Sequence, residues 1–153
     1  IEFWPEFKGR DGCRTPMVWQ AAAHLGAFTT APRSWLPVPA DHLAKAVDEQ
    51  LKANDSMLDH YKAAVAFRRR HPALAKGTIK LLDGPDSVLA FTRADDDETL
   101  LCVFNMGSEE VEMAMPDGLG VTRSAEAPGT LPDPGGRTLT LPPFGSYIGI
   151  VGA

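Results

Sequence analysis

The residues best able to do chemistry sit together near the start of the chain, in Gly9-Arg10-Asp11-Gly12-Cys13-Arg14-Thr15-Pro16-Met17. Two arginines four positions apart, with an acid between them and glycines at 9 and 12, describe a tight loop that carries charge. A guanidinium gives a rigid, two-pronged grip on a carboxylate or on sugar hydroxyls, so the loop could hold a polar ligand. The same residues could instead brace the loop internally, with Asp11 paired to one arginine. Spacing does not choose between the two. Phe3, Trp4, Phe7, Trp19, Phe28 and Trp35 crowd aromatic side chains into residues 1–40. Aromatic faces suit a sugar ring and equally suit packing a long loop onto a neighbouring domain. Packing is the commoner use and is the expectation here.

Other candidates carry less. Asp95-Asp96-Asp97-Glu98 is the densest acidic run, but it lacks the alternating ligands and placed glycine of a calcium loop, and reads as a solvated hairpin tip. His24, His42, His60 and His71 show no ligand spacing for zinc. Gly118-Leu119-Gly120 has no third glycine for a nucleotide fingerprint, and Phe144 stands where a GxSxG elbow around Ser146 needs glycine. Arg68, Arg69 and Arg70 fit the charged last turn of a helix. The residues therefore imply no metal and no cofactor.

The elements that must position the loop follow from pattern. Pro5, Pro16, Pro32, Pro37 and Pro39 keep residues 1–40 irregular. Leu43, Val47 and Leu51 repeat at spacing four and predict a short helix after Asp41. Asn54-Asp55-Ser56 caps a stronger helix whose face carries Met57, Leu58, Tyr61, Ala64 and Val65, and which Pro72 ends. From residue 77 the character changes. Strands are predicted at Thr78–Leu82, Ser87–Arg93, Thr99–Asn105, Val111–Met115, Thr138–Leu141 and Tyr147–Val151, with turn residues between them. These make an antiparallel sandwich or open barrel. The Pro- and Gly-rich stretch 116–136 shows no clear strand pattern.

Composition bounds the partners. A net charge of −5, spread along the 153 residues, argues against nucleic acid held by phosphate contacts. The longest apolar run, Leu100 to Phe104, is strand-sized, so no membrane span is expected. Cys13 and Cys102 are far apart and read as reduced thiols, which suits a cytoplasmic location. The chain opens at Ile1 in an aromatic, charged segment rather than at Met, and is read as a piece of a longer protein.

The segment from Phe3 to Met17 resembles the GRDGCRTPM-x-W segment of bacterial α-glucosidases of the α-amylase family, close to the oligo-1,6-glucosidases. The likeness continues in order through Gly26-Ala27-Phe28-Thr29, Trp35-Leu36-Pro37-Val38, Asn54-Asp55-Ser56 with His60-Tyr61, and Phe67 to Leu74. Leu101-Cys102-Val103-Phe104-Asn105 resembles a strand of the family's C-terminal domain. Val18 departs from it, since relatives often have Pro or Gln there. Residues 41–53 also depart, since relatives are often irregular where the pattern favours helix.

This resemblance implies an α+β fragment: the last loop and helix of a (β/α)8 barrel in residues 1–76, then an antiparallel β-sandwich in residues 77–153. It implies retaining, exo-acting hydrolysis of terminal α-glucosidic bonds in small oligosaccharides. In that reaction an aspartate nucleophile and a glutamic acid/base flank the bond, and a further aspartate assists. None of the three maps onto this chain, so the chain alone is expected to be inactive. Arg10 matches an arginine that closes the pocket around the non-reducing glucose by pairing with an aspartate from an early barrel loop. Phe7 would line the neighbouring aglycone side, and Arg14 would brace the loop. Without barrel cover, the face holding Leu58, Tyr61 and Val65 is expected to drive self-association. A related sucrose isomerase, trehalose synthase or transglucosidase is a second reading, and a non-catalytic sugar-binding or stabilising module a third.

Overall fold

The structure is a computed structural model that describes residues 10–120 and 122–152, the side chain of Thr122 excepted. The chain divides into two compact units, Ile1–Tyr61 and Lys62–Ala153. In the first, the described chain runs through 3₁₀ turns at Asp11–Cys13 and His24–Ala27 and then two single helical turns, α1 (Ala40–Leu43) and α2 (Val47–Gln50). The spacing of Leu43, Val47 and Leu51 predicted one helix here, and the structure corrects this. The break falls at Ala46, which is extended (ψ 150°) and fully buried. Beyond it, the Val47 and Asp48 amides donate to the Val18 and Trp19 carbonyls at 3.1 Å each, and the Ala21 amide donates to Asp48 Oδ1 at 3.0 Å. Bonds to a distant stretch of chain have replaced the local helical ladder.

Helix α3 (Met57–Arg70) starts where the cap predicted. Ser56 Oγ accepts from the Asp59 amide at 3.1 Å, and Gln50 Oε1 accepts from the Leu58 amide at 3.0 Å, satisfying two of the amides that a helix start leaves open. Arg68, Arg69 and Arg70 are exposed in its last turn, before Pro72. Of the apolar face, Tyr61 is 67% exposed, Leu58 and Val65 are half-buried, and Phe67, which the pattern had not singled out, is buried.

In the second unit one further turn, α4 (Ala73–Lys76), leads into seven strands among the described residues. They are β1 (Thr78–Leu82), β2 (Val88–Ala94), β3 (Thr99–Asn105), β4 (Val111–Ala114), β5 (Thr122–Ser124), β6 (Thr138–Leu141) and β7 (Ser146–Val151). All pairings are antiparallel: a five-stranded sheet in the order β1-β2-β3-β7-β5, and a two-stranded ladder of β4 with β6. The predicted strands stand within a residue at each end. β5 is the addition, inside the Pro- and Gly-rich stretch where no strand was read. It exists because it pairs Thr122–Ser124 with Gly149–Val151 far along the chain.

Period-2 alternation builds the core. Ala90, Leu101, Val103 and Tyr147 from the large sheet meet Met113, Leu139 and Leu141 from the ladder, while Glu112, Ala114, Thr138 and Thr140 point to solvent. Tyr147 needs Gly149 two residues on: a Cβ there would lie 2.6 Å from the tyrosine hydroxyl. On the opposite face of β3, Leu100 and Cys102 are also buried, and Phe91 stacks on Phe104 at 6.0 Å. Burial pushes the Cys102 thiol up to about 11, with Arg93 opposing, so the thiol stays protonated at neutral pH. Both cysteines are free, Cys13 exposed and Cys102 buried. No helix among the described residues is long and apolar enough to cross a membrane.

Asn105, 2% exposed, ends β3 and closes the sandwich. Its Nδ2 donates to the Glu109, Pro142 and Leu141 carbonyls at 2.7, 3.0 and 3.3 Å, and its Oδ1 accepts from the Gly107 amide at 2.9 Å. One side chain thus ties the turn after β3 to the connection after β6. Asn105→Ala would leave buried carbonyls without donors and should cost about 2–4 kcal/mol in denaturant-induced unfolding. A loss under about 0.5 kcal/mol would show that water or a small shift of the loop replaces the amide.

Candidate functional site

From Arg10 onward, the described part of the charged loop folds into one tight turn. The Cys13 amide donates to the Arg10 carbonyl at 3.1 Å and the Arg14 amide to the Asp11 carbonyl at 3.0 Å, while Cys13 Sγ also donates to the Arg10 carbonyl at 2.9 Å. Backbone bonds therefore hold the turn. Arg10 and Arg14 are both exposed and Asp11 is half-buried. Among the described residues Asp11 forms an ion pair with neither arginine. Arg10 is therefore, among the described residues, an exposed guanidinium without an ion-pair partner. Phe7, the other predicted site residue, lies outside the described residues, as do Phe3 and Trp4.

Support for the turn comes from residues that spacing did not reveal. Pro16 and Val18, which follow it, are buried. The Gly26 carbonyl accepts from the Trp19 and Gln20 amides at 2.8 and 3.2 Å, clamping the chain that leaves the turn. Gly26 is left-handed (φ +64°), and a Cβ on it would meet Val18 Cγ1 at 2.8 Å. Its neighbours Leu25 and Ala27 are also left-handed, a conformation that costs side-chain-bearing residues energy. Thr15, Met17, His42 and Lys45 line a shallow cleft of about 340 Å³ beside the turn, with Thr15 Oγ1 and His42 Nδ1 3.5 Å apart. Trp19 and Phe28 are half exposed, and Trp35 is 96% exposed.

Several acids already serve the fold. Asp48 holds the Ala21 amide, and Asp95 Oδ1 accepts from the Asp97 and Glu98 amides at the hairpin tip. Asp133 accepts from the Ser124 amide. Glu98 departs from the solvated tip that the sequence suggested: its carboxylate is mostly buried against His71. No group of three or more His, Cys, Asp or Glu among the described residues could hold a metal ion.

Gly26→Ala tests the support of the turn, since the new methyl must enter Val18 and hold a left-handed backbone. It should destabilise the chain by about 2–4 kcal/mol in thermal or denaturant unfolding. A variant as stable as the parent would mean that the Trp19–Gly26 clamp is not needed.

Comparisons with known proteins bear on both units. Residues 2–77 match the family described as "Alpha amylase, catalytic domain", and residues 79–148 match "Maltogenic Amylase, C-terminal domain". A probable α-glucosidase of Rhizobium meliloti is 44% identical over 116 residues, covering 76% of this chain and 21% of the relative. Among solved structures, an α-glucosyl transfer enzyme, XgtA, superposes with a TM-score of 0.84 at 36% identity, over 98% of this chain and 28% of that one. The trehalulose synthase MutB from Pseudomonas mesoacidophila MX-45 gives 0.77 at 30% identity, over 94% of this chain and 26% of that one. The chain thus spans about a fifth of the length of its curated relative and about a quarter of these solved chains. With its loop, final helix and antiparallel sandwich in the order those matches require, the chain belongs to the α-amylase family of glycoside hydrolases, of which it carries the end of the catalytic barrel and the C-terminal β-sandwich.

Proposed function

We propose that this chain is part of a retaining, exo-acting α-glucosidase that hydrolyses terminal α-glucosidic bonds of small oligosaccharides, and that Arg10 closes its glucose pocket. The observation that carries the reading is the Arg10 turn. An exposed guanidinium sits on a backbone-braced loop, with no carboxylate partner among the described residues, inside the segment matched to the catalytic domain. Such a guanidinium is poised to pair with an aspartate from another barrel loop. The pair would wall off the non-reducing end, so that only a terminal glucose fits. Phe7, three residues earlier, is proposed to line the aglycone side, and Arg14 to brace the loop.

The catalytic carboxylates are proposed to lie on barrel strands outside residues 1–153. Catalytic residues of this architecture come from the C-terminal ends of several strands, and one loop and one helix cannot supply them. The structural duties of Asp48, Asp95, Asp133 and Glu98 support that reading. A division into residues 1–76 from the barrel and 77–153 as sandwich is supported by the matched ranges, which change over between 77 and 79. A second reading, glucosyl transfer or isomerisation, is favoured by the likeness to XgtA, named an α-glucosyl transfer enzyme, and to MutB, named a trehalulose synthase. Oligosaccharide substrates are common to both readings.

Arg10→Ala in the complete enzyme should lower kcat/KM for a terminal α-glucoside by about 2–5 kcal/mol of transition-state stabilisation, because its buried partner is left unpaired. An unchanged kcat/KM would remove Arg10 from the pocket. Products formed from sucrose by the unmodified enzyme separate the readings: glucose and fructose in equal amounts support hydrolysis, and an isomeric disaccharide, or a longer oligosaccharide with fructose in excess over glucose, supports isomerisation or transfer.

A further inference from the structure

The motif that the proposed function does not absorb is the junction where α3 gives way to the sandwich. Helix α3 ends at Arg70, and the next residue, His71, is only 15% exposed at its side chain. Its Nδ1 lies 2.8 Å from Glu98 Oε2, and the Glu98 side chain is 17% exposed. The second oxygen of that carboxylate, Oε1, accepts from the Ala73 amide at 3.3 Å. One carboxylate on the β2–β3 hairpin therefore holds both sides of Pro72.

The hairpin is built to present it. The Asp95 amide donates to the Glu98 carbonyl at 3.0 Å, and Asp95 Oδ1 accepts from the Asp97 and Glu98 amides at 3.1 and 3.0 Å. This fixes the backbone from which Glu98 extends. Arg93, on the neighbouring strand of the same hairpin, adds a second hold: its Nε donates to the Ala73 carbonyl at 3.1 Å and its Nη2 to the Gly77 carbonyl at 2.9 Å. From the helix side, Phe67 is buried with its ring centroid 4.4 Å from that of His71, and Arg70 lies over the Phe67 ring at 6.0 Å. Arg68 reaches over to the Leu74 carbonyl. Ala73 itself is fully buried.

Two properties set this apart from an ordinary surface ion pair, which contributes little. Both partners are largely withdrawn from water, and the bonds run to backbone groups in the segment that links two elements. A shielded carboxylate that holds both an imidazole and a backbone amide is costly to disturb, because removing one partner strands the other.

We propose that Glu98, backed by Arg93, is a clamp by which the β2–β3 hairpin fixes the C-terminal end of α3 and the α4 turn, so that the sandwich anchors the end of the barrel helix. His71 and Ala73 lie in the stretch matched to the catalytic domain, whereas Arg93 and Glu98 lie in the stretch matched to the C-terminal domain. The clamp is therefore the polar lock between the two. It stands apart from the reading of Arg10 and survives if that reading fails.

The 153-residue chain tests it directly. Glu98→Gln keeps the size of the side chain and removes its charge, His71→Gln removes the imidazole, and the two combined close a double-mutant cycle. Each single variant should lower Tm by about 4 °C or more, and the double variant should fall little further than either. Amide exchange at Ala73, followed by NMR, should accelerate about tenfold or more in Glu98→Gln, while exchange in the centre of β3 stays slow. In the unmodified chain the His71 ¹⁵N shifts should report a proton on Nδ1. Additive losses in the cycle, or Ala73 exchange unchanged in Glu98→Gln, would overturn the clamp. So would an unmodified chain whose neutral His71 carries its proton on Nε2 alone with Glu98 ionised, since the bond would then lack a donor.

Discussion

Strand β3 is buried on both faces, and the second unit is organised around that fact. Leu101 and Val103 meet the two-stranded ladder on one side, while Leu100 and Cys102 are sealed on the other. A central strand in that position reads as a continuous apolar run rather than an alternating one, as Leu100 to Phe104 does. Its neighbours β2 and β7 inherit their registers from it, and Asn105 at its end ties the turn after β3 to the connection after β6. The hairpin that delivers Glu98 to His71 is the turn between β2 and β3. The apolar core and the polar contacts of Glu98 and Arg93 thus meet in the β2–β3 hairpin.

The first unit follows a different logic. Its described chain is short of regular structure, so hydrogen bonds from distant residues, rather than helix or strand ladders, fix its course. Gly26, Asp48 and Ala46 each satisfy or permit a bond that the local sequence could not make alone. Arg10 is exposed on a turn closed by backbone bonds, and Pro16 and Val18, which follow the turn, are buried.

Strands with a strong pattern were legible. β1, β3 and β6 stand at their predicted limits, because each has its own apolar run or alternation bounded by turn residues. The cap at Ser56 was legible too, since a capping hydroxyl acts within three residues. What escaped was decided by partners far away in sequence. β5 has three residues and no pattern, and it exists through its pairing with β7. The helix predicted over Leu43–Leu51 broke because Val18 and Trp19 offered carbonyls to Val47 and Asp48. Glu98 looked like the last acid of a solvated tip until the fold brought His71 to it across 27 positions. At the candidate site, the motif announced a charged turn, but only the geometry separated Asp11 from the two arginines.

We propose that this chain carries the end of an α-glucosidase barrel and its sandwich, with the groups that cleave the bond on other barrel strands. The most direct test is to assay the purified 153-residue chain for release of p-nitrophenol from the α-glucoside. The account predicts no release above the uncatalysed rate, at any protein concentration. Turnover that tracks the chain through successive purification steps and rises in proportion to its concentration would contradict it, placing the catalytic carboxylates within these residues.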